Sequence, residues 1–226
     1  MAEHVLPGAP PVALTLRRSG RARRISLRIS RLDGRVTLTL PSGAKEAEAL
    51  EFAASKAEWI RDHLDKRPDE APVQAGASLP IEGRMCRIVA ARGRRITYRE
   101  GEICVPQDGV GRRLQAWLRE LARDRLTSAS DLYADRLGRD YTRITLRDTR
   151  SRWGSCTSDG GLMYSWRLIL APPEILNYVA AHEVAHLAEM NHSPAFWATV
   201  ERLHGPYNAE RRWLRKEGAT LHRYRF

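Results

Sequence analysis

The stretch Pro172-Pro173-Glu174-Ile175-Leu176-Asn177-Tyr178-Val179-Ala180-Ala181-His182-Glu183-Val184-Ala185-His186-Leu187-Ala188-Glu189-Met190-Asn191-His192 decides how this chain is read. Ala171-Pro172-Pro173 announces a helix start, since the first turn has no use for the amide protons that proline lacks. Ile175, Leu176, Val179, Ala180, Val184 and Leu187 make the following helix apolar on most sides, and the pattern extends it from about Glu174 to Met190. A helix of that kind belongs in a core. His182, Glu183 and His186 interrupt its apolar middle, and such groups are costly to bury unless something engages them.

The histidines of His182-Glu183-Val184-Ala185-His186 are four residues apart, so they project from one helix face one turn apart, which suits two imidazoles on one cation. A shuffled chain of this composition would contain such a motif in roughly one or two cases per hundred. A catalytic zinc keeps three protein ligands and leaves a fourth position for water, and His192 is the best third ligand. It follows an expected helix end at Met190-Asn191, where Asn191 can take the left-handed conformation, and precedes a helix restart at Ser193-Pro194. Glu183 then sits where a carboxylate takes a proton from water without being a ligand, as the general base and acid of a hydrolase acting on peptide or amide bonds. The expectation is one zinc ion per chain. For the oxyanion, the donors nearby in sequence are Tyr178, Arg167, His204 and Tyr207. The histidine spacing matches that of metzincins, but Glu189 stands where those have glycine and no methionine follows His192. A metzincin is not expected.

Outward from this helix, Leu114 to Leu132 recur at helical spacing within Arg113 to Leu137. Strands are expected at Arg143 to Arg147 and Leu162 to Leu168, flanking a loop from Ser151 to Gly161, and shorter helices after Pro194 and Pro206. Trp197, Trp213 and Leu214 read as core. Upstream, Val12 to Leu16, Ile25 to Ile29 and Val36 to Leu40 alternate around Ser19-Gly20 and Asp33-Gly34 turns and suggest a three-stranded meander. A helix over 42–66 follows, with Ser42 as its cap. Short strands are expected near Arg87 to Ala90, Ile96 to Arg99 and Ile103 to Val105, with turns at Glu82-Gly83 and Glu100-Gly101. The sequence therefore divides into a flexible N-terminus (1–11), a β-rich part (12–108) and a catalytic core (109–226), an α+β protein overall. No internal repeat is evident.

The chain has 226 residues, 42% of them hydrophobic and 29% charged, as expected of a soluble globular protein with a sizeable core. Cys86, Cys104 and Cys156 are scattered and form no disulfide framework, no run of apolar residues suits export or a membrane span, and a cytoplasmic setting is expected. The net charge of +11 is spread, with 19 basic and 14 acidic residues before Val110 and 19 and 13 from there on. One cluster stands out: Arg17, Arg18, Arg21, Arg23, Arg24, Arg28 and Arg31, with no acid between His4 and Leu32. It is a candidate for phosphate or nucleic acid, against the plainer reading of a solvated strand face; Arg92, Arg94, Arg95 and Arg99 could extend it.

With Ser151-Arg152-Trp153-Gly154-Ser155-Cys156, Ser165-Trp166-Arg167-Leu168, the histidine motif and Asn191-His192-Ser193-Pro194-Ala195-Phe196-Trp197, the sequence resembles the YgjP-like metallopeptidase family. It is also similar to SprT-like zinc proteases in the motif helix and the segment bearing the third histidine. The resemblance implies a zincin-like core, zinc on His182, His186 and His192, Glu183 as acid and base, and a protein or peptide substrate. Trp153 and Cys156 are possible cleft-lining residues, Cys156 even as a thiolate, although a packed tryptophan and a small buried cysteine explain them more simply. Two other functions stay open: a metal-dependent hydrolase of nucleotide phosphoanhydrides, pyrophosphatase-like, and a nucleic-acid-associated protease of the SprT-like kind. The oligomeric state is not legible.

Overall fold

The computed structural model describes residues 2–30, 33–65, 69–99 and 101–226. Arg31, the expected helix end at Lys66 and Glu100 of an expected turn lie outside them, as do Arg67 and Pro68. Two compact units divide the chain, Met1–Asp69 and Glu70–Phe226.

The first unit is a four-stranded sheet covered by two helices. Its strands are β1 (Ala2–Leu6), β2 (Val12–Arg18), β3 (Ser26–Ile29) and β4 (Val36–Leu40). The alternating Val12, Leu14, Leu16 and Val36, Leu38, Leu40 bury one face of the sheet. Its order is β1-β2-β4-β3, not a meander: β2 runs parallel to β4, and β3 returns antiparallel on the far side of β4. Burial explains the exchange. All three apolar residues of β4 are fully buried, so it takes the centre, while β3 exposes Ser26 and Arg28 and takes an edge where polar residues are tolerated. The segment expected to be a flexible N-terminus is strand β1, antiparallel to β2, with Leu6 in the core. Instead of one helix capped by Ser42, α1 (Glu46–Ser55) and α2 (Ala57–Asp65) are separated at Lys56 and pack Ala49, Ala53 and Ile60 on the sheet. The carbonyls of Ser42 and Ala44 accept from Arg18 Nη1 at 3.1 and 2.9 Å, which shapes the chain before α1.

The second unit begins with β5 (Ala71–Pro72), β6 (Ser78–Ile81), β7 (Arg84–Ala91), β8 (Thr97–Arg99) and β9 (Glu102–Pro106). Strands β6 to β9 form a sheet of order β6-β7-β9-β8, with a parallel central pair and antiparallel flanks, which is the arrangement of the first sheet again. This repeat of topology has no counterpart in the sequence pattern. The strands do not belong with the N-terminal part, because Ile88, Ile103 and Val105 share one core with Leu114, Leu118 and Leu126 of α3 (Val110–Leu137). The division expected near residue 108 therefore falls at 69/70. Helix α3 ends at Gly138, whose φ of 70° suits a residue without Cβ and lets its N–H reach the carbonyls of Ala134 and Asp135.

After α3 come β10 (Arg143–Arg147), β11 (Gly154–Cys156) and β12 (Gly161–Ser165). Strand β12 lies between a parallel β10 and an antiparallel β11, so β11 is an edge. The strand expected to reach Leu168 stops at Ser165, and Trp166–Leu170 form a 3₁₀ turn. Helices α4 (Pro173–Ala185), α5 (Pro194–His204) and α6 (Asn208–Glu217) follow, then β13 (Tyr224–Arg225), parallel to β5. The architecture is α+β with a β-rich N-terminal part, as expected. No helix among the described residues is long and apolar enough to cross a membrane.

Arg167 ties the chain's last turn to this core. Its guanidinium meets Asp148 through two bonds of 2.6 and 3.1 Å and donates to the carbonyls of Leu221 and Tyr224 at 3.0 and 3.1 Å. Beside it, His222 is buried against Trp153, with ring centroids 5.3 Å apart. Burial, helped by Arg167 and opposed by Asp148, pulls the His222 pKa from 6.5 down to about 4. Between those values the unfolded chain binds a proton that the folded chain refuses, so stability falls as pH drops through that window and is unaffected above it. The expected loss is about 2 kcal/mol at pH 5. Melting temperatures at pH 7 and pH 5, taken with chelator present, should differ less for His222→Gln than for wild type. Equal differences would dismiss His222 as the source.

Candidate metal centre

Helix α4 is the floor of the site. Nine of its residues, Ile175, Leu176, Tyr178, Val179, Ala180, Ala181, Glu183, Val184 and Ala185, are buried, so its position is fixed by packing on most sides. It ends five residues earlier than the apolar pattern suggests. His186 caps it, and the amides of Leu187, Ala188 and Glu189 fold back onto the carbonyls of Val184 and Ala185. His186 Nδ1 lies 3.0 Å from the Glu189 carbonyl, which orients the ring and leaves Nε2 for another partner. Asn191 is not left-handed; its Oδ1 accepts from the Ser193 amide at 3.0 Å, and Ser193 in turn caps α5 through Phe196 N–H. These two short-range bonds hold His192 in place, and Pro194 starts α5 directly behind it.

The three imidazoles meet. Each of His182, His186 and His192 offers a nitrogen, and these atoms all lie within 4.8 Å of one another. Nε2 of His182 and Nε2 of His192 are 3.2 Å apart, close to the separation of about 3.3 Å for two nitrogens bound tetrahedrally to one zinc. The buried Phe196 lies under all three rings at centroid distances of 4.4 to 4.9 Å, stacked on His186. Burial, reinforced by His186 and His192, pulls the His182 pKa down to about 3, and burial also lowers that of His186. Both rings are therefore neutral, with lone pairs free for a metal. The donor set fits a divalent ion that favours imidazole, zinc among them.

Glu183 is 5% exposed. Burial pushes its pKa up to about 8, against the pull of Arg152. Its neighbour is Gly154 at the start of β11, where an added Cβ would stand 2.5 Å from both Cγ and Oε1 of Glu183. Glycine there is a condition for the strand to lie against the carboxylate. The same depression, about 240 Å³, is lined by Arg152, Gly154, Ser155, Cys156 and Met190 together with the three histidines and Glu183.

The other candidates separate by position. Cys156 lines the depression, but burial and the nearby Glu183 push its thiol up to about 11, and its Sγ donates to the Thr157 carbonyl. It is a thiol. The Trp153 ring turns away, against Gly218 and His222. Arg167 spends its donors on Asp148 and the C-terminal carbonyls and is absent from the depression. Tyr178, His204 and Tyr207 gather on the other flank of His182, with Tyr178 stacked on Tyr207 and Tyr207 on Trp197, and none lines the depression. Trp197, Trp213 and Leu214 are partly buried against the core. Gly154 lies in the Trp153 to Cys156 run expected to line the cleft, but its contact with Glu183 was not foreseen, and Arg152 and Phe196, though within the motifs that carry the family resemblance, had no role read from the sequence.

A family model described as YgjP-like, metallopeptidase domain, matches residues 23–217. No curated protein matches the sequence. Among solved structures the chain is similar to the metallopeptidase zymogen abylysin of Pyrococcus abyssi, at 22% identity over 43% of this chain and 92% of that one, with a TM-score of 0.35. Since the family model takes in both the strands of the second unit and the histidine helix, the chain belongs to the YgjP-like family of metallopeptidase domains.

Proposed function

We propose that the protein is a zinc peptidase with one ion per chain, held by His182, His186 and His192, in which Glu183 moves the proton. The observation that carries this reading is the buried Glu183 carboxyl, lodged between the three converging imidazoles and the edge strand β11. An ion held by these three imidazoles would supply a water with its pKa lowered toward about 7 and a Lewis acid for the carbonyl. Glu183 takes the water's proton and returns it to the leaving amine nitrogen; its burial makes it a stronger base than an exposed carboxylate, and a nearby cation favours its ionised form. Arg152, exposed at the rim, is the cationic donor placed to meet the tetrahedral oxyanion, in preference to Arg167.

The substrate reading follows from β11. Among the described residues that strand is paired along one edge alone, with β12, and its residues Gly154, Ser155 and Cys156 line the depression. An extended peptide can add to such an edge through main-chain bonds. The depression is smaller than the pockets of about 300–1,000 Å³ that enclose small molecules, which favours a chain lying across it over an engulfed nucleotide.

Casein and nucleoside triphosphates, assayed side by side, test the proposal. The expected result is casein cleavage that chelator abolishes and zinc restores. Pyrophosphate release without proteolysis would replace the peptidase with a phosphoanhydride hydrolase. His192→Ala is expected to lose bound zinc on dialysis, read by atomic emission, and full occupancy in that variant would refute the third ligand.

A further inference from the structure

We infer that the open face and one end of the N-terminal sheet bind the phosphate backbone of a duplex nucleic acid through Arg17, Arg21, Arg23, Arg24 and Arg28. Along β2 the core-facing Leu14 and Leu16 alternate with Thr15 and Arg17, and along β3 Leu27 and Ile29 alternate with Ser26 and Arg28. Arg17 and Ser26 both sit opposite Thr39 of β4, and Thr15 and Arg28 both sit opposite Thr37. The face away from the helices thus carries two rows, each a guanidinium beside hydroxyls, across β2, β4 and β3. Residues 19–25 link β2 to β3 past the end of β4, where Ser19 N–H meets the Leu40 carbonyl, and this link brings Arg21, Arg23 and Arg24 to the end where Arg17 stands. All five arginines are exposed, and none has an ion pair among the described residues.

Charge is sorted by layer in this unit. From Val12 to Leu40 there are eight arginines and one acid, Asp33, which is already paired with Arg35. The acids Glu46, Glu48, Glu51, Glu58, Asp62 and Asp65 lie on α1 and α2, the layer over the opposite face, and the open face carries one acid at its β1 edge, Glu3, opposite Thr15. An ordinary solvated surface mixes the two signs. A face of unpaired guanidiniums with hydroxyls between them complements phosphate oxygens, which arginine meets with two parallel bonds. The segment Val12 to Leu40 contains no aromatic residue, so it offers no platform for stacking the bases of a single strand, and the contacts are to a backbone. It also offers no apolar wedge for a lipid surface: Thr15, Ser26, Thr37 and Thr39 occupy the places between the arginines.

The full chain should bind a fluorescein-labelled 20-base-pair DNA duplex in anisotropy titrations, with log affinity falling against log salt at a slope of about −4, for four to five phosphate contacts. The triple variant Arg17→Gln/Arg23→Gln/Arg28→Gln should weaken binding more than tenfold at 100 mM salt and flatten the slope by about 2 to 3. Arg92→Gln/Arg94→Gln/Arg95→Gln removes the same charge from exposed positions of the second unit and should leave binding near wild type. Circular dichroism checks that both variants are folded. Equal weakening by the two variants, a slope near zero, or tighter binding to vesicles containing phosphatidylserine than to the duplex would overturn the assignment.

Discussion

Glu183→Gln should keep one zinc per chain and lose about 10²- to 10⁴-fold in kcat for peptide hydrolysis. The amide occupies nearly the volume of the carboxylate, so the packing of α4 against β11 is preserved, and neither His186 nor His192 depends on it for position: His186 is oriented by the Glu189 carbonyl and His192 by the caps of α5. What the change removes, on the proposed mechanism, is the group that accepts a proton. Turnover measured under saturating peptide, with metal content measured on the same sample, separates the two roles. Loss of zinc together with activity would make Glu183 a ligand or a structural support, and retained activity would move the base elsewhere.

Gly154→Ala is expected to lower kcat at least about 100-fold while metal content stays at one per chain. The added methyl carbon would lie 2.5 Å from Cγ and Oε1 of Glu183 and 2.7 Å from Cδ, so either the carboxylate or the strand must move. Glu183 is buried, with little room to yield, and β11 is held on its other side by β12. A shift of about an ångström in a proton acceptor is enough for a loss of that order. Gly154 is not in the left-handed region, so the effect is one of space and not of backbone conformation. A variant within threefold of wild type would mean that the carboxylate has another place to go.

The two histidines and the glutamate of α4 were legible because a helix of known period sets which side chains share a face, and His192 because a proline restart marks where the chain turns back. The end of α4 was misjudged. Leu187 and Met190 continue the apolar pattern, but His186 and Glu189 bond to each other's turn and stop the helix at Ala185. Strand order in the first sheet depends on which strand the core buries most deeply, a comparison that alternation within each strand does not contain. Arg167 looked like a site residue because it precedes the motif by a short stretch, yet Asp148, which claims it, lies nineteen residues earlier in the chain. In the sequence Gly154 is one residue of an expected loop; only the approach of Glu183 reveals it as a gap left for a carboxylate.

The three imidazoles come from one run of eleven residues, His182 to His192, whereas the enclosure of Glu183 needs β11, some thirty residues upstream. Closing so short a loop costs little chain entropy, so the nitrogens can come together as soon as α4 and the start of α5 form. Glu183, the proposed acid and base, is enclosed on one side by Gly154 of β11. In the proposed zinc peptidase, binding the metal and enclosing the base rest on different parts of the chain, and hydrogen exchange should find the amides of α4 protected by zinc in partly unfolded chains that do not yet cleave peptide.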